Sequence, residues 1–314
     1  MLISKQTSTA TTGVASGKII LIGEHSAVYA KPAIAMACSA VNVTTTITPS
    51  NRGIYLYCDL YEGLLDDIPE LLSSLNVVVH ETLLYLKQYQ PNLHIKIDSN
   101  IPLERGMGSS AAVSISVIKA LFAYYKRIPT QQELFNLSEL SEKLIHGNPS
   151  GLDASTIISQ KAMWFQKGTT SQEIDMNVNA YLVIADSGIT GQTKLAIEKV
   201  AHLQNTHPEL HNKLMLSLES LTYQTRDALL TKDVHALGAI FNEAHDTLRL
   251  LGVSHPTVDH LVAIAQTNGA LGAKMTGGGL GGCLFALCDT QHNAQQIAQL
   301  FKQYGAYQTF IQSI

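Results

Sequence analysis

Ile101-Pro-Leu-Glu-Arg-Gly-Met-Gly-Ser-Ser-Ala111 is the stretch on which the fold turns. It follows Leu93-His-Ile-Lys-Ile97, whose apolar–polar alternation predicts a strand. It leads into an almost wholly apolar helix from about Ser109 to Tyr124, and a helix apolar on every side belongs in the middle of a domain. Between the two elements, Gly106 and Gly108 let the backbone approach a ligand closely, and the N–H groups at the helix start favour an anion. The hydroxyls of Ser109 and Ser110 stand where a phosphate-bound Mg²⁺ could be reached. A tight turn closed by a serine N-cap would use the same residues. The G-K-[ST] ending of a Walker A loop is missing.

Outward from this centre, Lys18–Ile22, Ala33–Cys38, Val41–Thr48 and Ile54–Cys58 read as strands on the N-terminal side. A helical pattern runs from about Pro69 to Gln88. On the C-terminal side a helix spans about Thr130 to His146, and Thr130 with Glu133 has capping-box spacing. The polar stretch Gly168–Asn179 divides the chain into expected domains 1–178 and 179–314. The second part reads as a strand at Tyr181–Ala185, four amphipathic helices up to about Thr267, two strands around a glycine run, a helix from about Asn293 to Tyr304 and a terminal strand. Strands, then mostly helices, then strands again predict an α+β protein.

At 314 residues the chain should bury about three quarters of its unfolded surface and needs no disulfide staples. Its 21 Lys and Arg against 25 Asp and Glu leave a net charge of −4, with no basic block, so no nucleic-acid partner is expected. An anionic substrate must be met by a few placed cations and backbone N–H groups. Cys38, Cys58, Cys283 and Cys288 form no CxxC pair, as for reduced thiols of a cytoplasmic protein. The N-terminus is polar, and the longest apolar stretches fall short of the ~20 residues of a membrane span.

Two further loops carry chemistry-bearing residues. His146-Gly-Asn-Pro-Ser-Gly-Leu-Asp153 is a sharply turned loop that presents Asp153 at a helix start, as a general base for a hydroxyl or as a plain N-cap. Glu142, one turn earlier, falls on the flank of the apolar helix face, available to line a cleft or to stand in solvent as a surface carboxylate. Lys274-Met-Thr-Gly-Gly-Gly-Leu-Gly-Gly282 carries five glycines in six positions, more than a hairpin requires. Close approach to a ligand, or to the first glycine loop, explains that density. Lys18 at a strand start is ordinarily solvated, and Gly23-Glu24-His25 has no catalytic meaning alone.

Taken in order, Lys18 to His25, Gly106-Met-Gly-Ser-Ser110 and Lys274 to Gly282 resemble the three motifs of the GHMP kinases, the superfamily of galactokinase, homoserine kinase, mevalonate kinase and phosphomevalonate kinase. Gly-Glu-His-Ser-Ala-Val-Tyr29 and the loop ending at Asp153 are similar to the mevalonate kinases within it. Glu104-Arg105 departs from the small residues that many relatives carry before the glycine loop, which bears on the shape of that loop.

The resemblance implies a two-domain fold, with a left-handed βαβ crossover in an ATP-binding N-terminal domain and a ferredoxin-like C-terminal domain. It implies ATP and Mg²⁺ as cofactors, mevalonate as the small-molecule substrate, phosphorylation of its 5-hydroxyl, a homodimer, and no membrane. Asp153 would be the general base, and Lys18 would steer it and stabilise developing charge. The backbone of Arg105, Gly106, Met107, Gly108 and Ser109 would cradle the phosphates, with Ser110 and Glu142 on the metal. His25 and Thr193 would contact mevalonate, and the loop from Thr276 through Gly277 and Gly278 to Gly279 would close the site. A sister kinase acting on phosphomevalonate or another small alcohol, and a silent regulator on the same fold, are the competing expectations; a regulator should have lost Lys18, Glu142 or Asp153.

Overall fold

A computed structural model of the chain describes residues 10–146 and 150–314. In chain order the elements are β1 (Thr11–Ile22), β2 (Ala33–Pro49), β3 (Ile54–Cys58), β4 (Tyr61–Leu64), α1 (Ser73–Tyr85), β5 (Leu93–Ser99), α2 (Ser109–Tyr124), α3 (Gln131–His146) and α4 (Leu152–Ser159). There follow β6 (Ala162–Phe165), β7 (Gln172–Ile174), β8 (Tyr181–Asp186), α5 (Thr193–Thr206), α6 (Pro208–Thr231), α7 (Val234–Leu250), α8 (Pro256–Thr267), β9 (Gly272–Met275), β10 (Cys283–Cys288), α9 (Gln291–Gln303) and β11 (Gln308–Ser313). Among the described residues no helix is long and apolar enough to cross a membrane.

The chain forms two compact units. One holds residues 10–17, Val41–Ile101 and Ser109–Ser159; the other holds Lys18–Ala40, Pro102–Gly108 and Gln160–Ile314. The chain passes from one to the other within β1, within β2, at the steps from Ile101 to Pro102 and from Gly108 to Ser109, and after α4.

In the first unit the strand order is β4-β3-β5-β2. β3 runs parallel to β5, and β5 pairs antiparallel with the Val43–Pro49 part of β2. The apolar run of α2 makes it the centre of this unit: Ile115, Val117, Ile118, Leu121 and Phe122 are wholly buried, and each such aliphatic or aromatic side chain contributes about 1.5–3 kcal/mol relative to exposure. Two contacts set α2 against the strands. A Cβ on Gly13 of β1 would lie 2.2 Å from the Ser116 carbonyl oxygen, and Thr45 of β2 shares a 2.7 Å hydrogen bond with Ser116. The capping box of α3 forms as its spacing predicts, with Glu133 accepting from the Thr130 N–H at 2.7 Å and the Glu133 N–H donating to the Thr130 hydroxyl at 3.2 Å.

The second unit is built on an antiparallel sheet in the order β11-β8-β10-β9. Numbered along the chain, its four strands lie 4-1-3-2, the ferredoxin-like arrangement. All six residues of the central β10 are buried. The start of β2, Ala33–Met36, pairs in the same unit with β6, and β6 pairs with β7.

Several boundaries differ from the sequence reading. β1 begins at Thr11, which puts Lys18 inside the strand. The strands expected at Ala33–Cys38 and Val41–Thr48 are one continuous 17-residue strand. The helix expected from Pro69 opens only at Ser73, after 3-10 turns, and Leu71 is 80% exposed. β4, β6 and β7 are short strands that the sequence did not announce, and β7 lies inside the polar 168–179 stretch.

Candidate functional site

In the first unit, α2 and α3 bring Ser110 and Glu142 together: the Ser110 hydroxyl donates to Glu142 Oε1 at 2.7 Å. One turn further along α2, Ser114 shares a 2.7 Å hydrogen bond with Ser141, so two side-chain contacts hold the helices in register. Glu142 is 6% exposed, which overturns its reading as a solvated surface carboxylate. One turn before it on α3, Glu139 Oε1 is buried and, among the described residues, has no hydrogen-bond partner. Burial pushes the Glu139 carboxyl up, against the pull of Lys143 and with a smaller push from Glu142. The Ser110 hydroxyl and the Glu142 and Glu139 carboxylates are oxygen donors, the donor chemistry that suits Mg²⁺.

Asp153 is the second residue of α4, within its first turn, and is only partly buried. The Leu152 N–H at the start of this helix is taken by the Ser150 hydroxyl at 3.3 Å. That contact leaves Asp153 inside the helix and not in the N-cap position. A carboxylate in the first turn is still favoured by the helix dipole. The turn expected around Asn148-Pro149, with Gly147, lies outside the described residues.

The second unit gathers the other motifs. Its part of β1 begins with Lys18, which is 4% exposed where a solvated side chain is the ordinary expectation. The Lys18 N–H donates to the Met107 carbonyl at 2.9 Å and ties the strand to the first glycine loop. That loop meets the C-terminal one directly. Gly106 and Gly277 both have positive φ, at 80° and 84°, and a Cβ on Gly106 would lie 3.1 Å from the Gly277 Cα. Only glycine combines this backbone conformation with this approach. The density of glycines in 277–282 is thereby explained in part: one loop is packed on the other.

His25 and Thr193 converge on the next residue. His25 Nε2 lies 3.1 Å from the Gly278 carbonyl oxygen, and a Cβ on Gly278 would fall 1.9 Å from the Thr193 hydroxyl oxygen. Burial holds the His25 imidazole at about 4, against an ordinary 6.5, so the ring is neutral and its Nε2–H donates to Gly278. His25 also has φ 61° and ψ −43°, outside the regions most side chains adopt. Thr193 opens α5, and the residues before it are braced on both loops: the Gly191 N–H donates to the Glu104 carbonyl at 3.0 Å and the Gln192 N–H to the Gly279 carbonyl at 3.1 Å.

The Arg105 side chain is engaged within the unit. Its Nε donates to Asp186 Oδ1 at 2.9 Å and its Nη1 to the Thr190 hydroxyl at 2.8 Å. The departure from small residues at this position thus adds an anchor to the glycine loop, and the guanidinium is directed to Asp186. The Arg105 carbonyl accepts from the Cys283 N–H at 3.3 Å, a further link between the loops.

Sequence reasoning missed Asp186, Glu24 and Lys274. Lys274 donates to Glu24 Oε1, and both side chains are completely buried. Burial pushes the Glu24 carboxyl up against the opposing pull of Lys274 and Lys18, and pushes the Lys274 ammonium down. Glu24 was visible only as the middle of a tripeptide and Lys274 only as the head of a glycine loop. The link between them spans 250 residues.

Residues 76–161 match the GHMP kinases N terminal domain and residues 225–306 match the GHMP kinases C terminal domain. A mevalonate kinase of Thermococcus sibiricus is 32% identical over 93% of this chain and 92% of its own length. Among solved structures, the Methanococcus jannaschii mevalonate kinase superposes with a TM-score of 0.83 at 25% identity, covering 98% of each chain. The L. major mevalonate kinase in complex with R-mevalonate gives a TM-score of 0.83 at 25% identity, covering 99% of this chain and 98% of that one. With its two glycine loops packed together and its ferredoxin-like sheet, the chain belongs to the GHMP kinases, in the mevalonate kinase family.

Proposed function

We propose that the chain transfers the γ-phosphoryl group of ATP to the 5-hydroxyl of mevalonate, giving 5-phosphomevalonate and ADP. The observation that carries phosphoryl transfer is the Ser110–Glu142 pair, because it puts two oxygens at the start of the helix that follows the glycine loop in sequence. The names of the relatives support mevalonate as the acceptor.

Phosphoryl transfer asks a protein mainly for positioning and charge neutralisation. The backbone N–H groups of 105–109 would hold the β- and γ-phosphates, with Ser110 and Glu142 on Mg²⁺, which when bound offsets charge on the phosphate oxygens. Asp153 would accept the proton of the 5-hydroxyl as its oxygen bonds to the γ-phosphorus. The bond from that phosphorus to the β–γ bridging oxygen breaks, and ADP leaves with the electron pair. Lys18 would steer Asp153 and stabilise the charge that develops. His25, Thr193 and the loop at Gly277-Gly278 would orient mevalonate; the convergence of His25 and Thr193 on Gly278 supports this grouping. The matched kinase regions fall within 1–178 and 179–314 respectively, which supports that division into an ATP-binding and a C-terminal kinase domain. A homodimer rests on the resemblance, and a cytoplasmic location on cysteines that form no disulfide framework.

The test is ADP release measured with mevalonate, phosphomevalonate, galactose and homoserine supplied one at a time. Turnover with mevalonate alone supports the proposal, and turnover with only another acceptor overturns it.

A further inference from the structure

Outside the residues assigned above, the second unit contains one charged pair sealed from solvent. Lys274 Nζ donates to Glu24 Oε1 and, at 2.7 Å, to the Met275 carbonyl, and it lies 5.3 Å from the centroid of the Phe285 ring. Glu24 Oε2 is buried and, among the described residues, has no hydrogen-bond partner. A buried ion pair is a poor source of stability, since desolvation offsets most of the attraction, and its best-attested use is to specify one arrangement over others. The question is which arrangement this pair specifies.

Its two ends lie beside the two segments that meet at His25 and Gly278. Glu24 is the residue before His25, in a turn where Gly23 has φ 99° and His25 has φ 61°. Lys274 lies on β9, two residues before Thr276. The Thr276 hydroxyl accepts from the Ile20 N–H at 3.0 Å and donates to the Ile20 carbonyl at 2.8 Å, so β1 and β9 are already tied by a neutral clamp. The charged pair is a second tie, joining the turn after β1 to β9 two residues ahead of the clamp. At the far end His25 Nε2 reaches the Gly278 carbonyl at 3.1 Å. Without the pair, the Thr276 clamp would still join the strands, and of these ties only the His25–Gly278 hydrogen bond would hold the turn against the loop at Gly277-Gly278.

We propose that Glu24 and Lys274 are positioning residues for transfer: their ion pair sets His25 and the Gly277-Gly278 backbone in register for the acceptor, without touching it. This rests on the function proposed above, so the test pairs an activity with a substrate-free signal. The signal is the ¹⁵N resonance of the His25 ring, compared in the wild-type chain and in two variants. In Glu24→Met/Lys274→Met both buried charges are removed together. The expected result is a midpoint of thermal unfolding near the wild type, kcat with mevalonate lowered at least tenfold, KM for ATP within twofold, and a His25 resonance shifted even without substrate. Glu24→Asp keeps both charges and withdraws the carboxylate by one methylene, so it remains informative if the double variant does not fold. It should lower kcat at least threefold and move the same resonance. Wild-type kcat together with an unmoved His25 resonance, in either folded variant, overturns the proposal. A wild-type chain that does not turn over mevalonate overturns the function instead, while the His25 resonance still reports on the register.

Discussion

The Ser110 hydroxyl and the Glu142 carboxylate stand 2.7 Å apart across α2 and α3, in the buried part of the first unit. If they hold Mg²⁺, Glu142→Gln should raise the Mg²⁺ concentration for half-maximal rate about tenfold, because the ion takes only one or two protein carboxylates and the loss of one charge is felt. Glutamine can still accept from Ser110, so the unfolding midpoint should change little. A titration of rate against Mg²⁺ checks this, and an unchanged curve removes Glu142 from the metal.

Gly278 and Thr193 are in close contact within the second unit. A methyl group at 278 would fall 1.9 Å from the Thr193 hydroxyl oxygen, well inside van der Waals contact. Gly278→Ala should therefore displace Thr193 or the loop, and raise KM for mevalonate at least tenfold with KM for ATP within about twofold. Steady-state kinetics with each substrate varied in turn gives the split. An equal rise in both constants would assign the loop to the phosphates instead.

Acid should destabilise the fold through His25. Its folded-state value of about 4 lies below the ordinary 6.5, so the unfolded chain binds the extra proton between these limits. The stabilisation is complete above pH 6.5 and is lost as the pH falls toward 4, a total of about 3 kcal/mol at 1.36 kcal/mol per unit. His245, buried in α7 and likewise held at about 4, acts in the same direction. His25→Asn retains a side chain that tolerates left-handed backbone and should flatten the fall in unfolding midpoint between pH 7 and pH 5. A slope identical to wild type would mean that His25 does not titrate with unfolding.

Features written in neighbouring residues were legible in the sequence. The alternation of Leu93–Ile97, the apolar run of α2 and the Thr130–Glu133 box each appear where they were read. The glycine density at 277–282 pointed to close approach, and Gly106 is one of the groups approached. Features that need a distant partner were not legible. Glu142 reads as a flank residue on a helical wheel, and its Ser110 partner arrives from α2, a separate element. Lys18 reads as a strand start because the apolar run begins after it, yet the strand begins seven residues earlier. Ser39-Ala40 looked like a break between two strands, but β2 passes through it with Ser39 exposed. The Glu24–Lys274 pair left no local signature.

The assignment of Asp153 as the base is the claim on which the mechanism depends. Asparagine at this position is nearly isosteric, and the Ser150 contact at the start of α4 does not involve the substituted side chain. The decisive measurement is the rate of phosphoryl transfer from bound ATP to bound mevalonate by Asp153→Asn, followed by rapid quench, with folding confirmed by circular dichroism. The account predicts that both substrates still bind and that transfer slows by about 10² or more, the scale of a lost general base. Transfer at near the wild-type rate in the folded variant would contradict it.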